Sequence, residues 1–280
     1  MLIVSPLKMQ WEAKYKEIFP QAEWSNVPLE GHDSYLFMWC DNVTKTFINS
    51  KEKRGRYVVF VRRYEYYSEL EKLDWNKVDE VIMVNDWLAG GFEQRTGIKP
   101  HVIYNGVDPS KWTFKERTYG NKMAWVGFIN QKKNLPLAIQ ILAELHDDYE
   151  LHIAGEVQDF QVWDYIQNIV PKIKRKVIFN GYIPHEHMDR WLEDKNYILN
   201  TSISEGCPNS VLEAMAKGIK PVVHAWPGCI QQFGNYTFNT VGQAISIVQS
   251  HYASMEYREK VVEKFGINQF QKVKDIVCGV

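Results

Sequence analysis

Short, mainly apolar runs recur along this chain, and helical segments lie between them. The runs fall at residues 2–5, 35–39, 57–61, 81–84 and 101–104, then at 122–126, 151–154, 177–179, 197–199 and 219–223. A strand with one wet face alternates apolar and polar residues; Tyr57-Val58-Val59-Phe60-Val61 does not. Continuous runs of this kind belong to parallel sheets covered by helices on both faces. Helices are expected at 11–19, 86–95, 135–145, 160–173, 185–192, 208–217, 242–249 and 255–276.

At 280 residues the chain is too long for one average domain and fits two. The polar stretch 113–120, ending in Gly120, reads as the linker. The expectation is α/β throughout: a trimmed domain over 1–112, a second over 121–254, and closing helices over 255–280 that pack back on the first. Each domain is expected to be Rossmann-like and doubly wound, the two facing across a cleft. In such sheets ligands bind beyond the carboxyl ends of the strands.

Composition narrows the function classes. A net charge of −1 supplies no global field for nucleic acid or a membrane surface. Cys40, Cys207, Cys229 and Cys278 are scattered without a Cys-x-x-Cys pair, against a zinc site or disulfide scaffold. No apolar run reaches the ~20 residues of a spanning helix, and no leader-like segment precedes the first strand. A cytoplasmic setting is the expectation.

The most informative stretch is TSISEGCPNSVLEAMAKGIK, residues 201–220. A strand leads into a polar turn, Pro208 suits the first turn of a helix, and Gly218 follows its last turn. Glu205 lies before this helix. Glu213 lies inside it, one turn after Asn209 and on the same face. A helix N-terminus attracts phosphate, and a carboxylate can accept hydrogen bonds from both hydroxyls of a ribose. The same string also reads as an ordinary capped helix with solvated glutamates.

EGCPNSVLEAMAKGIKPVV resembles the Glu-x7-Glu signature of family-4 type retaining glycosyltransferases of GT-B fold. The phrases VIYNGVDPSKW and VDEVIMVNDWLAGGF resemble the last strands of that family's N-terminal domain. The resemblance implies transfer of a sugar from a nucleotide-sugar donor to an acceptor hydroxyl, with retained configuration and without metal or cofactor. Glu213 would hold the ribose. Lys133, with the N–H groups near Pro208, Asn209 and Ser210, would hold the diphosphate. Glu205 and the backbone of Gly206 and Cys207 would hold the sugar. Gly127 closes the strand before Lys133, and Tyr182 and Ile183 sit in the loop that meets the base. The family often carries Arg directly after that Gly; here the position is Phe128.

Acceptor inference is thinner. Asp41, Arg62 and Arg63 stand at strand ends of the first domain, the two arginines directed into the expected cleft. Lys45, Lys51, Lys53, Arg54, Arg56, Arg62 and Arg63 form a local basic stretch. It reads either as a solvated loop between strands or as a surface for an anionic acceptor such as DNA. A glycan or lipid-linked sugar is the other acceptor reading. His185-Glu186-His187 reads as helix surface, since its two histidines do not share a helical face. Two further functions stay open: a nucleotide-sugar binding protein that does not catalyse, and an epimerase on the same fold.

Overall fold

The computed structural model describes residues 1–7, 11–50, 52–68 and 70–279. They divide into two units, residues 1–106 with 267–280, and residues 107–266.

In the first unit, strands β1 (Leu2–Val4), β2 (Glu23–Ser25), β3 (Ser34–Phe37), β4 (Arg56–Val61), β5 (Glu80–Met83) and β6 (His101–Val102) form one sheet. The order is β2-β1-β3-β4-β5-β6, and every pairing is parallel. Helices α1 (Glu12–Ile18), α2 (Asn42–Ser50), α3 (Arg63–Tyr66) and α4 (Asp86–Thr96) lie between the strands. Tyr35, Phe37, Tyr57, Val59 and Val81 join Leu88, Ala89 and Phe92 of α4 in one core cluster. Leu36, Val58, Phe60 and Ile82, their neighbours in the strands, are buried as well. That double burial is why the apolar runs do not alternate.

Three elements here were not anticipated: β2, α2 and the single-turn α3. β2 is three residues long and only partly buried, too short to leave a pattern. α2 replaces the expected loop. Its Val43, Thr44, Thr46 and Ile48 are poor helix formers. Asp41 starts it by accepting from the Thr44 N–H at 2.8 Å, and burial of Thr44, Lys45 and Ile48 sustains it.

The second unit holds β7 (Lys122–Val126), α5 (Leu135–Glu144), β8 (Glu150–Ala154), α6 (Phe160–Ile169), β9 (Lys176–Gly181), α7 (His185–Trp191), β10 (Tyr197–Asn200), α8 (Asn209–Ala216) and β11 (Lys220–His224). After them come α9 (Cys229–Phe233), β12 (Thr237–Phe238), α10 (Val241–Gln249) and α11 (Ser254–Phe265). Its sheet runs β12-β11-β10-β7-β8-β9 and is parallel throughout. This is the doubly wound dinucleotide-binding order, with its switch point between β7 and β10. The loops leaving those two strands diverge there, and the crevice between them is where such folds take ligands.

The division between units follows Gly106, so residues 113–120 lie within the second unit. The closing helices expected over 255–280 are α11 and α12 (Asn268–Cys278). Gly266 separates them at a point where a Cβ would stand 2.4 Å from the Val262 carbonyl oxygen. Only α12 groups with the first unit. Among the described residues no helix is long and apolar enough to cross a membrane.

Candidate active site

Three strands of the second unit end in glycine at the same edge of the sheet. Gly127 follows β7, Gly155 follows β8 and Gly181 closes β9. The Gly127 N–H donates to the Ala154 carbonyl at 3.0 Å, and the Gly155 N–H to the Gly181 carbonyl at 2.8 Å. A Cβ on Gly155 (φ +156°) would fall 1.8 Å from the Gly127 carbonyl oxygen. The strand ends approach this closely because they carry no side chains.

Beyond Gly127 the chain turns through Asn130 to Lys133. The Asn130 Oδ1 accepts from the Lys133 N–H at 3.0 Å, and Asn134 takes the left-handed conformation (φ 51°, ψ 49°) that opens α5. Lys133 Nζ then reaches Glu205 Oε1 at 2.6 Å. Glu205 sits on the loop after β10, the neighbour of β7 in the sheet. The two residues are 72 positions apart and meet across the switch point. Their side chains are 17% and 10% exposed, so the pair is largely withdrawn from water.

The Glu205 loop is braced from several directions. Ser202 Oγ donates to Glu205 Oε1 at 2.7 Å. Trp125 Nε1 donates to Thr201 Oγ1 at 3.0 Å, and that hydroxyl donates to the Lys133 carbonyl at 3.0 Å. The Ile203 N–H donates to the Lys132 carbonyl at 2.9 Å. His224 Nδ1 lies 3.0 Å from the Ser202 carbonyl, and Gln232 Nε2 donates to the Gly206 carbonyl at 2.7 Å. Burial pushes the Glu205 carboxyl up, but Lys133, Lys132 and the Ser202 hydroxyl outweigh it and hold its pKa below the usual range. Glu205 is therefore a fixed carboxylate.

Gly206, Cys207 and Pro208 are buried and lead directly into α8, with Pro208 as the residue before its first turn. Asn209 and Ser210 open the helix and are half-buried. The first N–H groups of any helix lack intrahelical acceptors. Asn209 Oδ1 is buried with no hydrogen-bond partner. One turn on, Glu213 is buried among Val211, Leu212, Ala214, Met215 and Ala216. α8 ends in paired bonds, from the Ile219 N–H to the Ala214 carbonyl at 3.1 Å and from the Gly218 N–H to the Met215 carbonyl at 2.9 Å. Gly218 takes φ +80° there, which satisfies the last carbonyls and fixes the helix.

His185 is on the helix surface as expected, the first residue of α7, but its ring turns to the site, with Nε2 2.9 Å from Glu213 Oε1 and an edge-on contact to Trp112 at 5.6 Å. The hydrogen bond to Glu213 raises its pKa against the opposing effect of burial. Tyr182 and Ile183 lie just before it on the loop after β9, Tyr182 63% exposed and Ile183 half-buried. Neither His185 nor Gln232 carried a signal in the sequence, because each reaches the site from an element remote along the chain.

The acceptor-side candidates each make local contacts within the first unit. Asp41 caps α2 through one oxygen. Arg62 is not an open cation: its guanidinium lies 4.3 Å from the Phe60 ring centre, 5.1 Å from Trp11 and 5.7 Å from Trp39, and donates to Asn105 Oδ1 at 3.2 Å. Arg63 starts α3 and lies over Tyr67. The basic stretch does not form one face. Lys45 is buried and donates to the Ser68 carbonyl, Lys53 pairs with Asp79 and Arg56 with Glu80, and Lys51 lies outside the described residues.

Residues 120–241 match the family described as Glycosyl transferases group 1. A protein named uncharacterized glycosyltransferase 335, from Sulfolobus islandicus rod-shaped virus 1, is 28% identical over 161 residues, 57% of this chain and 45% of its own. HepE of Anabaena, solved with UDP and glucose, superposes with a TM-score of 0.74 at 14% identity, covering 100% of this chain and 92% of that one. S. aureus TarM, in a mutant form solved with fondaparinux, α-GlcNAc-glycerol and UDP, gives 0.69 at 16% identity, over 89% of this chain and 56% of that one. A glycosyltransferase from Rickettsia africae gives 0.73 at 12% identity, over 99% and 89%. The chain thus spans under half of the viral protein and little more than half of TarM. At these identities the structural likeness is one of fold. With two parallel six-stranded sheets the chain has the fold of GT-B glycosyltransferase structures, and its residues 120–241 are those that match the Glycosyl transferases group 1 family.

Proposed function

We propose that the protein is a glycosyltransferase, moving a sugar from a nucleotide-sugar donor to an acceptor hydroxyl. One observation carries this reading: Lys133 and Glu205 meet at the switch point of a dinucleotide-type sheet, directly before the start of α8. A leaving nucleoside diphosphate gains negative charge as the glycosidic bond breaks. A fixed cation and oriented helix N–H groups stabilise that charge without reorganising. Lys133 supplies the first, and Asn209 and Ser210 the second. Glu213 accepts from the ribose hydroxyls, and Glu205 with Gly206 and Cys207 meets the sugar. Tyr182 and Ile183 flank the base, and Gly127 leaves room beside the phosphates. The UDP in the HepE and TarM structures makes UDP the first nucleotide to try.

The reading extends to retention of configuration and to a metal-free mechanism. The departing phosphate takes the acceptor's proton, so no separate base is needed, and Lys133 offsets the negative charge that a divalent ion would otherwise neutralise. The acceptor proposed is a glycan or lipid-linked sugar. The dispersal of the basic stretch disfavours DNA. Asp41 and Arg63 are the acceptor-side residues of this reading. Its test is a donor screen by thermal shift with UDP, GDP and their sugars, then product analysis by NMR with chelator present. Stabilisation by UDP and an α-product from an α-donor are expected. No shift with any nucleoside diphosphate would overturn the proposal, because a bound ligand must stabilise by mass action.

A further inference from the structure

The first unit contains a cavity that this function does not use. It measures about 450 Å³ and opens at the amino ends of β3 and β4, away from Asp41 and Arg62 at their carboxyl ends. Its floor is formed by Tyr35 and Tyr57, both only 2% exposed. Each phenol oxygen accepts one backbone N–H, from His32 at 3.2 Å and from Arg54 at 3.4 Å. A phenol also donates, and among the described residues neither hydroxyl proton has an acceptor. Two such donors at the bottom of one cavity point to a ligand that brings acceptors.

The walls narrow its chemistry. Phe47 is half-buried and stands 5.6 Å from Tyr35 and 6.3 Å from Tyr57 between ring centres, offering an apolar side. Asp33, Glu52 and Arg54 form the exposed rim, and among the described residues their side chains have no hydrogen-bond or ion-pair partner. The two bounding segments are held in close contact. The Arg56 N–H donates to the Asp33 carbonyl at 2.8 Å, and Gly55 (φ +89°) presses so near that a Cβ would stand 2.4 Å from the same oxygen. The cavity is therefore built rather than incidental.

We infer that this cavity is a binding site for a neutral saccharide of one or two residues. Sugar hydroxyls accept from Tyr35, Tyr57 and Arg54 and donate to Asp33 and Glu52. The C–H face of a pyranose lies against Phe47. An anionic ligand would meet three carboxylates, Glu30, Asp33 and Glu52, against the single guanidinium of Arg54. The volume falls in the range of small-molecule sites, about 300–1,000 Å³. The site binds and does not catalyse. Its use in anchoring a glycan acceptor rests on the proposed function, but saccharide binding itself does not.

The test is saturation-transfer NMR on the whole chain with methyl glucoside, maltose, lactose and chitobiose at millimolar concentration, beside a separate UDP titration. At least one saccharide should bind. Tyr35→Phe and Tyr57→Phe should each weaken it by about 2–10-fold. Asp33→Asn, on the exposed rim where folding is not at stake, should weaken it too. UDP affinity should not change in any variant. Absence of binding by all four saccharides, or binding undiminished in all three variants, overturns the inference. Loss of UDP binding would instead bear on the active-site proposal alone.

Discussion

Replacing Glu205 by Gln keeps the shape of the side chain and removes its charge. Lys133 Nζ and Glu205 Oε1 lie 2.6 Å apart, with 17% and 10% of the side chains exposed. At an effective dielectric of about 20 their attraction is roughly 6 kcal/mol before desolvation. Most of that is offset by taking both groups out of water, leaving about 1–3 kcal/mol net. For a unit of this size that is a fall in Tm of about 3–10 °C near pH 7. The depressed pKa of Glu205 means that this contribution is present above the unfolded-state value, near about 4.3, and disappears as pH falls through the lower folded-state value. The gap between wild type and Glu205→Gln should therefore be constant from neutral pH down to about 5 and narrow below about 4. UDP supplies a second readout. In the free protein Lys133 is neutralised by Glu205, so the variant should bind UDP about 3–10-fold more tightly while sugar transfer falls by about 100–1,000-fold. Differential scanning fluorimetry over pH 3.5–7.5, with and without UDP, measures both stability effects. Equal stability of the two proteins across that range would show that the pair does not form, and weaker UDP binding would refute the neutralisation argument.

Glu213→Gln should lower UDP affinity by at least about tenfold while leaving inorganic pyrophosphate binding unchanged, as calorimetry with both ligands would show. The raised pKa of His185 means that its bond to Glu213 stabilises the fold below the unfolded-state value of about 6.5 and is lost as pH rises through the higher folded value. His185 is 48% exposed, so His185→Gln should cost no more than about 1 kcal/mol at pH 6 and nothing at pH 9, by urea unfolding. Gly155→Ala, whose Cβ would stand 1.8 Å from the Gly127 oxygen, should cost more than about 3 kcal/mol in the same assay or prevent folding.

Much of this molecule is legible one residue after another. Strands buried on both faces must be written as continuous apolar runs, so β3, β4, β5, β7, β8, β10 and β11 show themselves in the sequence. Pro208 and Gly218 mark the ends of α8, because proline and a left-handed glycine are what helix ends accept. Those local rules also place Glu205 before the helix and Glu213 inside it. Tertiary structure decided the rest. α2 has the composition of a loop and is a helix because burial of Ile48 and Thr44 outweighs propensity. Lys45 looked like part of a basic surface and lies inside, since nothing in a charge run says which way a side chain turns. Above all, the meetings of Lys133 with Glu205 and of Glu213 with His185 depend on strand order. The strand before Lys133 neighbours the strand before Glu205 only because the sheet reverses between β7 and β10, and no local pattern encodes a crossover.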